Sequence, residues 1–235
     1  MPTASGSAAS TQPGRDKASR PPLDSEETAS RYSLIVLDKS VHLLLAGGLL
    51  AILLRRRDLL PAGFGITGRN LAGQVGWGMA AVLLVYYYLY LTMVVIISIT
   101  MLGGIDAAAE EDLRHRVEWL AAIPPMSPVQ AALLMGLVAA HEEVVFRGLL
   151  LPYLRRLTGS WVAAVAISCG VFGVLHIDQG VIGAAQAAGI GMVLAIVFIR
   201  TRSLLTVTLA HFVFNFVQLQ YVAPALFKFA EKAFE

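Results

Sequence analysis

The sequence contains few charged residues and only one cysteine, and each shortage excludes a class of protein. Charged side chains make up 14% of the 235 residues, whereas soluble domains carry about 25%. A single cysteine, Cys169, excludes an internal disulfide and a cysteine-based metal cluster. The net charge of +2 is too small to indicate a nucleic-acid partner. With 57% hydrophobic residues and a mean hydropathy of +0.68, the composition instead indicates an integral membrane protein.

Long apolar segments run through most of the chain. A helix needs about 20 mostly apolar residues to cross a bilayer, and a backbone in lipid must satisfy its own hydrogen bonds. Six segments meet or approach this length, at 33–54, 75–102, 128–154, 161–176, 181–199 and 204–221. The fourth is short for a full crossing. We therefore predict an all-α, polytopic membrane helix bundle with about six transmembrane helices and an interfacial amphipathic helix.

Composition divides the chain into four parts. Residues 1–31 have almost no large apolar side chains and are predicted to form a disordered tail. Residues 32–126 hold two transmembrane helices and the interfacial helix, residues 127–222 hold four apolar segments, and residues 223–235 form an amphipathic C-terminal tail. The interfacial segment includes Glu111-Asp112-x-x-x-Arg116, whose charges we expect on a solvated face.

Arginine clusters predict how the helices cross the membrane. They follow the first, third and fifth apolar segments, at 55–57, at 155–156, and at 200 and 202. With six crossings, all three clusters fall on one side. The positive-inside rule then places this side in the cytoplasm and both termini outside.

Ionisable residues interrupt the third apolar segment in the stretch AHEEVVFRG, residues 140–148. A charge at the bilayer centre costs on the order of 2.5–3.5 kcal/mol, so such groups need compensation. Glu143 and Arg147 are four residues apart and can pair on one helix face. Glu142 has Phe146 at the corresponding position and therefore has no helical partner. Glu142 is the carboxyl that we expect to act as a general base.

Further polar groups occur on two later apolar segments. His211 and Asn215 are four residues apart and face the same way, and His176 follows Phe172 at the same spacing. Burying so many polar groups for packing alone would be expensive. We therefore predict that separate helices bring Glu142, His176, His211 and Asn215 together. His141, next to Glu142 but facing away from it, is expected to be structural.

The three spacings read, in chain order, Glu142-Glu143-x-x-x-Arg147, Phe172-x-x-x-His176 and His211-x-x-x-Asn215. This order closely resembles the EExxxR, FxxxH and HxxxN signatures of the CPBP family of intramembrane glutamic endopeptidases. That family includes the CAAX proteases, the Rce1-like and Abi proteins, and bacteriocin-processing enzymes. The resemblance covers about the C-terminal half of the chain, and it implies that residues 127–222 are a catalytic core.

The resemblance also implies a role for each matching residue. Glu142 would activate a water molecule, with His176 helping to hold that water. His211 and Asn215 would stabilise the oxyanion. Glu143, Arg147 and Phe172 would support the site. The implied function is an endopeptidase acting on a membrane protein or peptide in the lipid bilayer, without a cofactor and without nucleic acid.

Alternatives remain open at this stage. Glu142, His176 and His211 are all residue types that bind zinc, so a zinc-dependent protease is one alternative. A non-catalytic immunity or scaffold protein of the same fold is another, and a transporter with an intramembrane carboxylate is a third. The substrate class implied by the resemblance is a C-terminal sorting tag, a leader peptide or a CAAX-type C-terminus. The Ala-, Gly- and Arg-rich composition points to a bacterial inner-membrane protein.

Overall fold

The N-terminal helix α1, Ser25–Leu54, begins earlier than the sequence predicts. The computed structural model describes residues 25–56, 61–68, 70–103 and 106–234, so the tail expected over 1–24 lies outside the described residues. Residues 25–31, which we assigned to that tail, are helical instead. Two glutamates in the first turn favour a helix start, and Arg31 pairs with Glu27 at 2.8 Å, one turn away.

Helices account for all the regular structure in the described part of the chain. The remaining α-helices are α2 Leu71–Met101, α3 Asp106–Ala121, α4 Pro128–Glu143, α5 Leu151–Thr158, α6 Trp161–Val174, α7 Val181–Thr201, α8 Leu204–Val217 and α9 Ala223–Phe234. The π-helical turn Val144–Leu150 joins α4 to α5, and a second one, Gln218–Val222, joins α8 to α9. The C-terminal tail, predicted as a separate element, therefore continues α8.

Five helical segments are long and apolar enough to cross a membrane. They are Ser25–Leu54, Leu71–Met101, Pro128–Thr158, Val181–Thr201 and Leu204–Lys228. The predicted all-α polytopic bundle is confirmed. The fourth predicted crossing, 161–176, forms α6, which has only 14 residues and a length of about 21 Å. This is shorter than a hydrocarbon core of about 30 Å, and α6 ends two residues before His176.

Serines begin the helices that carry the polar site. Ser127 and Gln130 form a capping box at the start of α4, with Pro128 in the first turn. The Ser160 side chain accepts the Ala163 amide at the start of α6, and Ser203 does the same for Thr206 in α8. Each cap satisfies an amide that the helix itself leaves unpaired.

The core forms where α2, α5, α7 and α8 meet. Its most buried apolar side chains include Val85, Leu151, Leu194, Phe198 and Val207. Many large apolar side chains instead lie exposed on the outside of the bundle, as on α1 and α2. Since the helices can span a membrane, this exposed apolar surface suits lipid rather than water.

Arg155 and Arg202, from two of the arginine clusters, lie at one end of the bundle. The guanidinium groups of Arg155 and Arg202 lie 5.5 Å and 4.9 Å from the ring centre of Trp161. The Leu204 amide donates to the Gly65 carbonyl at 2.8 Å, which brings the α1–α2 connection to the same end. The shared end agrees with the predicted topology, whereas its cytoplasmic placement stays a prediction.

Helix α3 differs from the prediction in one respect. We expected Asp112 and Arg116 on a solvated face, but Asp112 is only 7% exposed. Its carboxylate accepts hydrogen bonds from the amides of Ile182 and Gly183, at the start of α7. The prediction of a solvated face was wrong for Asp112 because sequence spacing could not reveal that α3 packs across the start of α7.

Candidate active site

The predicted pair Glu143–Arg147 is present and completely enclosed. Arg147 Nη1 donates to Glu143 Oε1 at 2.8 Å, and the two side chains are 2% and 0% exposed. Arg147 Nη2 donates to the Gly191 carbonyl of α7, also at 2.8 Å. The arginine therefore neutralises a buried carboxylate and ties the α4–α5 segment to α7.

A π-helical turn follows Glu143 directly. At its end the Leu151 amide donates to the Phe146 carbonyl, five residues back, which is the π-helical spacing. Three successive residues of this turn, Phe146, Arg147 and Gly148, are buried. Such turns are rare and are found frequently at functional sites.

His211 of α8 lies between the two adjacent glutamates. Its Nδ1 is 2.8 Å from Glu143 Oε1, and its Nε2 is 3.7 Å from Glu142 Oε2. Because a carboxylate accepts, Nδ1 carries the hydrogen and donates it to Glu143. The ring orientation is therefore fixed by Glu143, and Nε2 is directed towards Glu142.

Glu142 differs from Glu143 in exposure and in partners. Its side chain is 19% exposed, and its Oε2 has no hydrogen-bond partner among the described residues. The 3.7 Å distance to His211 Nε2 is too long for a hydrogen bond but short enough for electrostatic contact. Oε2 itself is buried, while the side chain as a whole is partly exposed, so Glu142 lies at the edge of the buried polar cluster without a hydrogen bond to hold it.

Phe172 and His176 bring the end of α6 to the same site. The Phe172 ring lies 4.5 Å from the His176 ring and 6.3 Å from the His211 ring, measured between centroids. His176 Nδ1 lies 2.7 Å from the Phe172 carbonyl oxygen. A carbonyl can only accept, so Nδ1–H donates and the Nε2 of a neutral ring keeps its lone pair. The Phe172 ring is therefore the shared neighbour of His176 and His211.

Phe172 also packs against the buried ion pair. Its ring meets Phe146 edge-to-face at 4.9 Å, and the Arg147 guanidinium carbon lies 5.2 Å from its centre. Phe172 is 2% exposed. Phe172 therefore packs against both the Glu143–Arg147 pair and the two histidines, and supports their placement.

Asn215 lies one turn beyond His211 on α8 and is partly buried. It has no hydrogen bond to other residues in the described part of the chain. The placement leaves its amide available to an added group. An amide donates hydrogen bonds without titrating.

His141 lies on a different side of α4. Its ring is 5.4 Å from that of His42 on α1, and its Nδ1 has no partner within the described ranges. The contact with α1 agrees with the prediction that His141 faces away from Glu142.

No group of three or more His, Cys, Asp or Glu residues within the described ranges could hold a metal ion.

Two contacts of the site were not predicted. The Glu143–His211 bond joins residues 68 positions apart, and no spacing in the sequence indicates it. The Gly191 carbonyl accepts from Arg147, and a Cβ at Gly191 would lie 3.3 Å from Phe172 and 3.5 Å from Arg147 Nη2. Glycine permits such close approach of helices, and no spacing in the sequence indicates the hydrogen bond.

Comparison with known proteins points to the part of the chain that carries the three motifs. Residues 124–217 match the family model described as type II CAAX prenyl endopeptidase Rce1-like. The matched residues include all three motifs. No curated protein and no solved structure matches the chain. The protein is thus a multi-pass membrane protein whose segment 124–217 is similar to the type II CAAX prenyl endopeptidases of the Rce1-like family, which supports the resemblance to the CAAX proteases.

Proposed function

We propose that the protein is an intramembrane endopeptidase in which Glu142 activates a water molecule for attack on a peptide bond. The observation that carries this proposal is the contrast within the glutamate doublet. Glu143 is 0% exposed and its Oε1 accepts hydrogen bonds from both Arg147 and His211, whereas Glu142 is 19% exposed and accepts no hydrogen bond from the described residues. Only Glu142 is free to exchange a proton with a bound reactant.

The first step is attack by water. Glu142 takes one proton from the water as the oxygen forms a bond to the substrate carbonyl carbon. The lone pair of His176 Nε2 accepts a hydrogen bond from the same water, because Nδ1–H is already committed to the Phe172 carbonyl. Two acceptors on two helices would orient the water before reaction, which lowers the entropy cost of attack.

The attack converts the substrate carbonyl into an oxyanion. Asn215 donates an N–H to it, and His211 donates from Nε2. Because His211 Nδ1–H is bonded to Glu143, a proton on Nε2 makes the ring an imidazolium. Before the attack, the carboxylates Glu142 and Glu143 balance the cations Arg147 and His211. After the attack, Glu142 is protonated and neutral, and the oxyanion carries the second negative charge. Donors aimed at developing charge in a site with little water are the largest contribution in many such reactions.

Collapse of the intermediate completes the reaction. The carbon–nitrogen bond breaks, and the proton held by Glu142 passes to the departing nitrogen. The products are a carboxyl and an amine, and Glu142 returns to its ionised form. No covalent enzyme intermediate and no metal are needed in this scheme.

The proposed substrate is a membrane-associated protein whose cleavage site enters the bundle beside α4, α6 and α8. A C-terminal sorting tag or a leader peptide is proposed ahead of a prenylated C-terminus, with a bacterial inner membrane as the location. The proposal on substrate rests on composition and family resemblance alone.

A substrate search in cells tests the proposal. Membranes from cells with the wild-type chain are compared with membranes from cells with Glu142→Gln, and protein termini are quantified by mass spectrometry. We expect uncut membrane proteins to accumulate in the variant. Glu110→Gln, at a 57% exposed position on α3, is the matched control and should leave all termini unchanged.

The purified full-length chain then provides the direct measurement. Peptides spanning the accumulated cleavage sites are incubated with the protein in lipid nanodiscs. Loss of a general base predicts that Glu142→Gln lowers kcat by about 10²–10⁴-fold. Undiminished cleavage by a correctly inserted Glu142→Gln protein would sink the mechanism and favour a non-catalytic role or another residue.

A further inference from the structure

Helix α3 contains a buried polar cluster outside the proposed active site. Asp112 Oδ1 accepts from the Ile182 amide at 2.7 Å and from the Gly183 amide at 3.3 Å. Arg116 Nη2 lies 3.5 Å from Asp112 Oδ2 and donates to Gln186 Oε1 at 2.8 Å. This cluster, Asp112, Arg116 and Gln186, is here called the α3 brace.

The start of α7 has no cap of its own. Its N-cap residue, Gly180, has no side chain to accept the first amides of the helix. Asp112 supplies that acceptor from a residue 70 positions away and places a negative charge at the positive end of the helix dipole. Burying a carboxylate is costly unless it is bonded, and the two amide hydrogen bonds and the contact with Arg116 compensate this cost.

A short, fully bonded turn connects the brace to His176. The His176 amide donates to the Gly173 carbonyl, and the His176 carbonyl accepts from the Gln179 amide. The Gly180 amide then donates to the Ile177 carbonyl, and the Ala184 amide to the Gly180 carbonyl. Each of these bonds is 2.8–3.0 Å long. The backbone from His176 to α7 is therefore one continuous bonded unit.

Space around this turn is tight. Gly180 has φ +89 and a Cβ there would collide with the Asp112 carboxylate. A Cβ at Gly183 would lie 2.9 Å from the Gln179 Cβ and 3.3 Å from Arg116 Nη2. The close approach of α3 to this turn thus depends on Gly180 and Gly183, because a side chain at either position would collide with a neighbouring residue.

The brace also reaches α2. Gln186 Nε2 donates to Thr92 Oγ1 at 3.2 Å, so Arg116, Gln186 and Thr92 link three helices. A second anchor on a long helix prevents the start of α7 from moving with α3 alone.

We infer that Asp112 is a positioning residue, which holds the turn carrying His176 so that the His176 ring keeps its place beside Phe172. This inference rests on the proposed function, in which His176 accepts a hydrogen bond from the attacking water. Glu111-Asp112-x-x-x-Arg116 is thus no second catalytic motif, but a brace for the first. The expected consequence of losing it is a misplaced His176, with little change in substrate binding.

The test uses three variants of the full-length chain in nanodiscs. Asp112→Ala removes the acceptor. Asp112→Asn keeps an oxygen that can accept the Ile182 amide. Arg116→Met removes the bond to Gln186 while leaving both amide bonds of Asp112 intact. Glu111→Ala is the matched control, because its side chain is 76% exposed on the same helix.

The first readout needs no substrate. The protein is labelled with 15N-histidine, and the imidazole signal of His176 is assigned among five histidines by comparison with His176→Asn. Wild type and Glu111→Ala should show one tautomer, with the hydrogen on Nδ1. In Asp112→Ala we expect an exchange-averaged signal, and in Asp112→Asn a signal close to wild type. Hydrogen exchange at Ile182 and Gly183 should accelerate in Asp112→Ala, with no change at Leu194 in the middle of α7.

The second readout is cleavage of the substrate peptide. A misplacement of about 1 Å predicts that Asp112→Ala lowers kcat between about 10-fold and 100-fold with KM unchanged. Arg116→Met should fall between Asp112→Ala and wild type, and Asp112→Asn should retain most activity. If Asp112→Ala does not fold, Arg116→Met and Asp112→Asn still separate the outcomes.

Two results would overturn the inference. One is faster exchange at Ile182 and Gly183 with an unchanged His176 signal and unchanged kcat, which makes Asp112 a helix cap only. The other is an equal fall in kcat for Glu111→Ala. If the wild-type chain cleaves nothing, the proposed function fails, whereas the imidazole signal still decides whether Asp112 positions His176.

Discussion

His211 donates its Nδ1–H to Glu143 across 2.8 Å, and this bond decides what the second glutamate of the doublet does. Glu143 accepts from Arg147 through the same oxygen, Oε1. One buried carboxylate therefore fixes a cation on its own helix and the ring of a histidine on α8. Glu142, the preceding residue, is left with an unpartnered oxygen next to the far nitrogen of that ring.

Replacing each glutamate of the doublet by glutamine should have different effects on stability. Glu143→Gln removes the charge that balances Arg147, and breaking a buried pair costs about 3–5 kcal/mol. We expect a lower apparent Tm in detergent and, since His211 loses its anionic partner, a fall in kcat of about 10²–10³-fold. Glu142→Gln should abolish cleavage at an unchanged Tm. Equal Tm values for the two variants would contradict the separation of roles.

Arg147→Lys should destabilise the protein although it conserves charge. A lysine ammonium cannot reach both Glu143 and the Gly191 carbonyl with the fixed fork of a guanidinium. Leaving a buried carbonyl unpaired costs about 1–3 kcal/mol, measured as a loss of unfolding free energy. Arg156→Lys, at an exposed position of α5, is the control and should have no measurable effect.

Two glycines of α6 offer a matched test of how α6 places the site. A Cβ at Gly173 would lie 2.8 Å from the Ala184 carbonyl and 2.8 Å from the Ala188 Cβ, whereas a Cβ at Gly170 meets nothing within 4 Å. Gly173→Ala should push α6 from α7 and cost about 1–3 kcal/mol. Because Phe172 and His176 move with it, cleavage should fall as well. Gly170→Ala should match wild type in both measurements, and a loss there would argue against this explanation.

Asn215→Ala should impair catalysis without affecting stability. The Asn215 amide has no hydrogen bond to other described residues, so its removal leaves no buried group unpaired. Loss of one oxyanion donor predicts a fall in kcat of about 10²–10³-fold at constant KM. Kinetics in nanodiscs and the apparent Tm together check this. A drop in Tm equal to that of Glu143→Gln would show that Asn215 is structural instead.

Removal of divalent metal should leave cleavage unchanged. The described residues include no three metal-ligand side chains close enough to hold an ion, and the proposed reaction routes no step through a metal. Protein treated with a zinc chelator and dialysed should keep its kcat, and added zinc should not raise it. A chelator-dependent loss restored by zinc alone would support the zinc-dependent alternative.

Local rules in the sequence predicted much of the site. A four-residue helical spacing sufficed for Glu143–Arg147, because both partners lie on one helix and no third element is needed. The same rule separated Glu142 from its neighbour. The fourth apolar segment was predicted to be short for a full crossing, and α6 has only 14 residues.

Such local rules could not predict contacts between segments that are distant in the sequence. Asp112 was expected in solvent because a charged residue in a polar linker usually faces water. Its burial follows from how α3 lies across α7, which depends on the packing of the whole bundle. The start of α1 was misplaced for a more local reason, since Glu27 and Arg31 stabilise a polar first turn that composition alone assigned to the tail.

The sequence by itself determined that this protein is a helical membrane bundle and which carboxyl is unpaired, because hydropathy and helix periodicity act over short stretches of chain. Only the tertiary structure decided that Glu143 orients His211, that Gly191 binds Arg147 and that Asp112 caps α7. Each of these bonds joins residues at least 44 positions apart. The partners come into contact only after the helices pack. The number of residues between them does not indicate how close they lie in the folded protein.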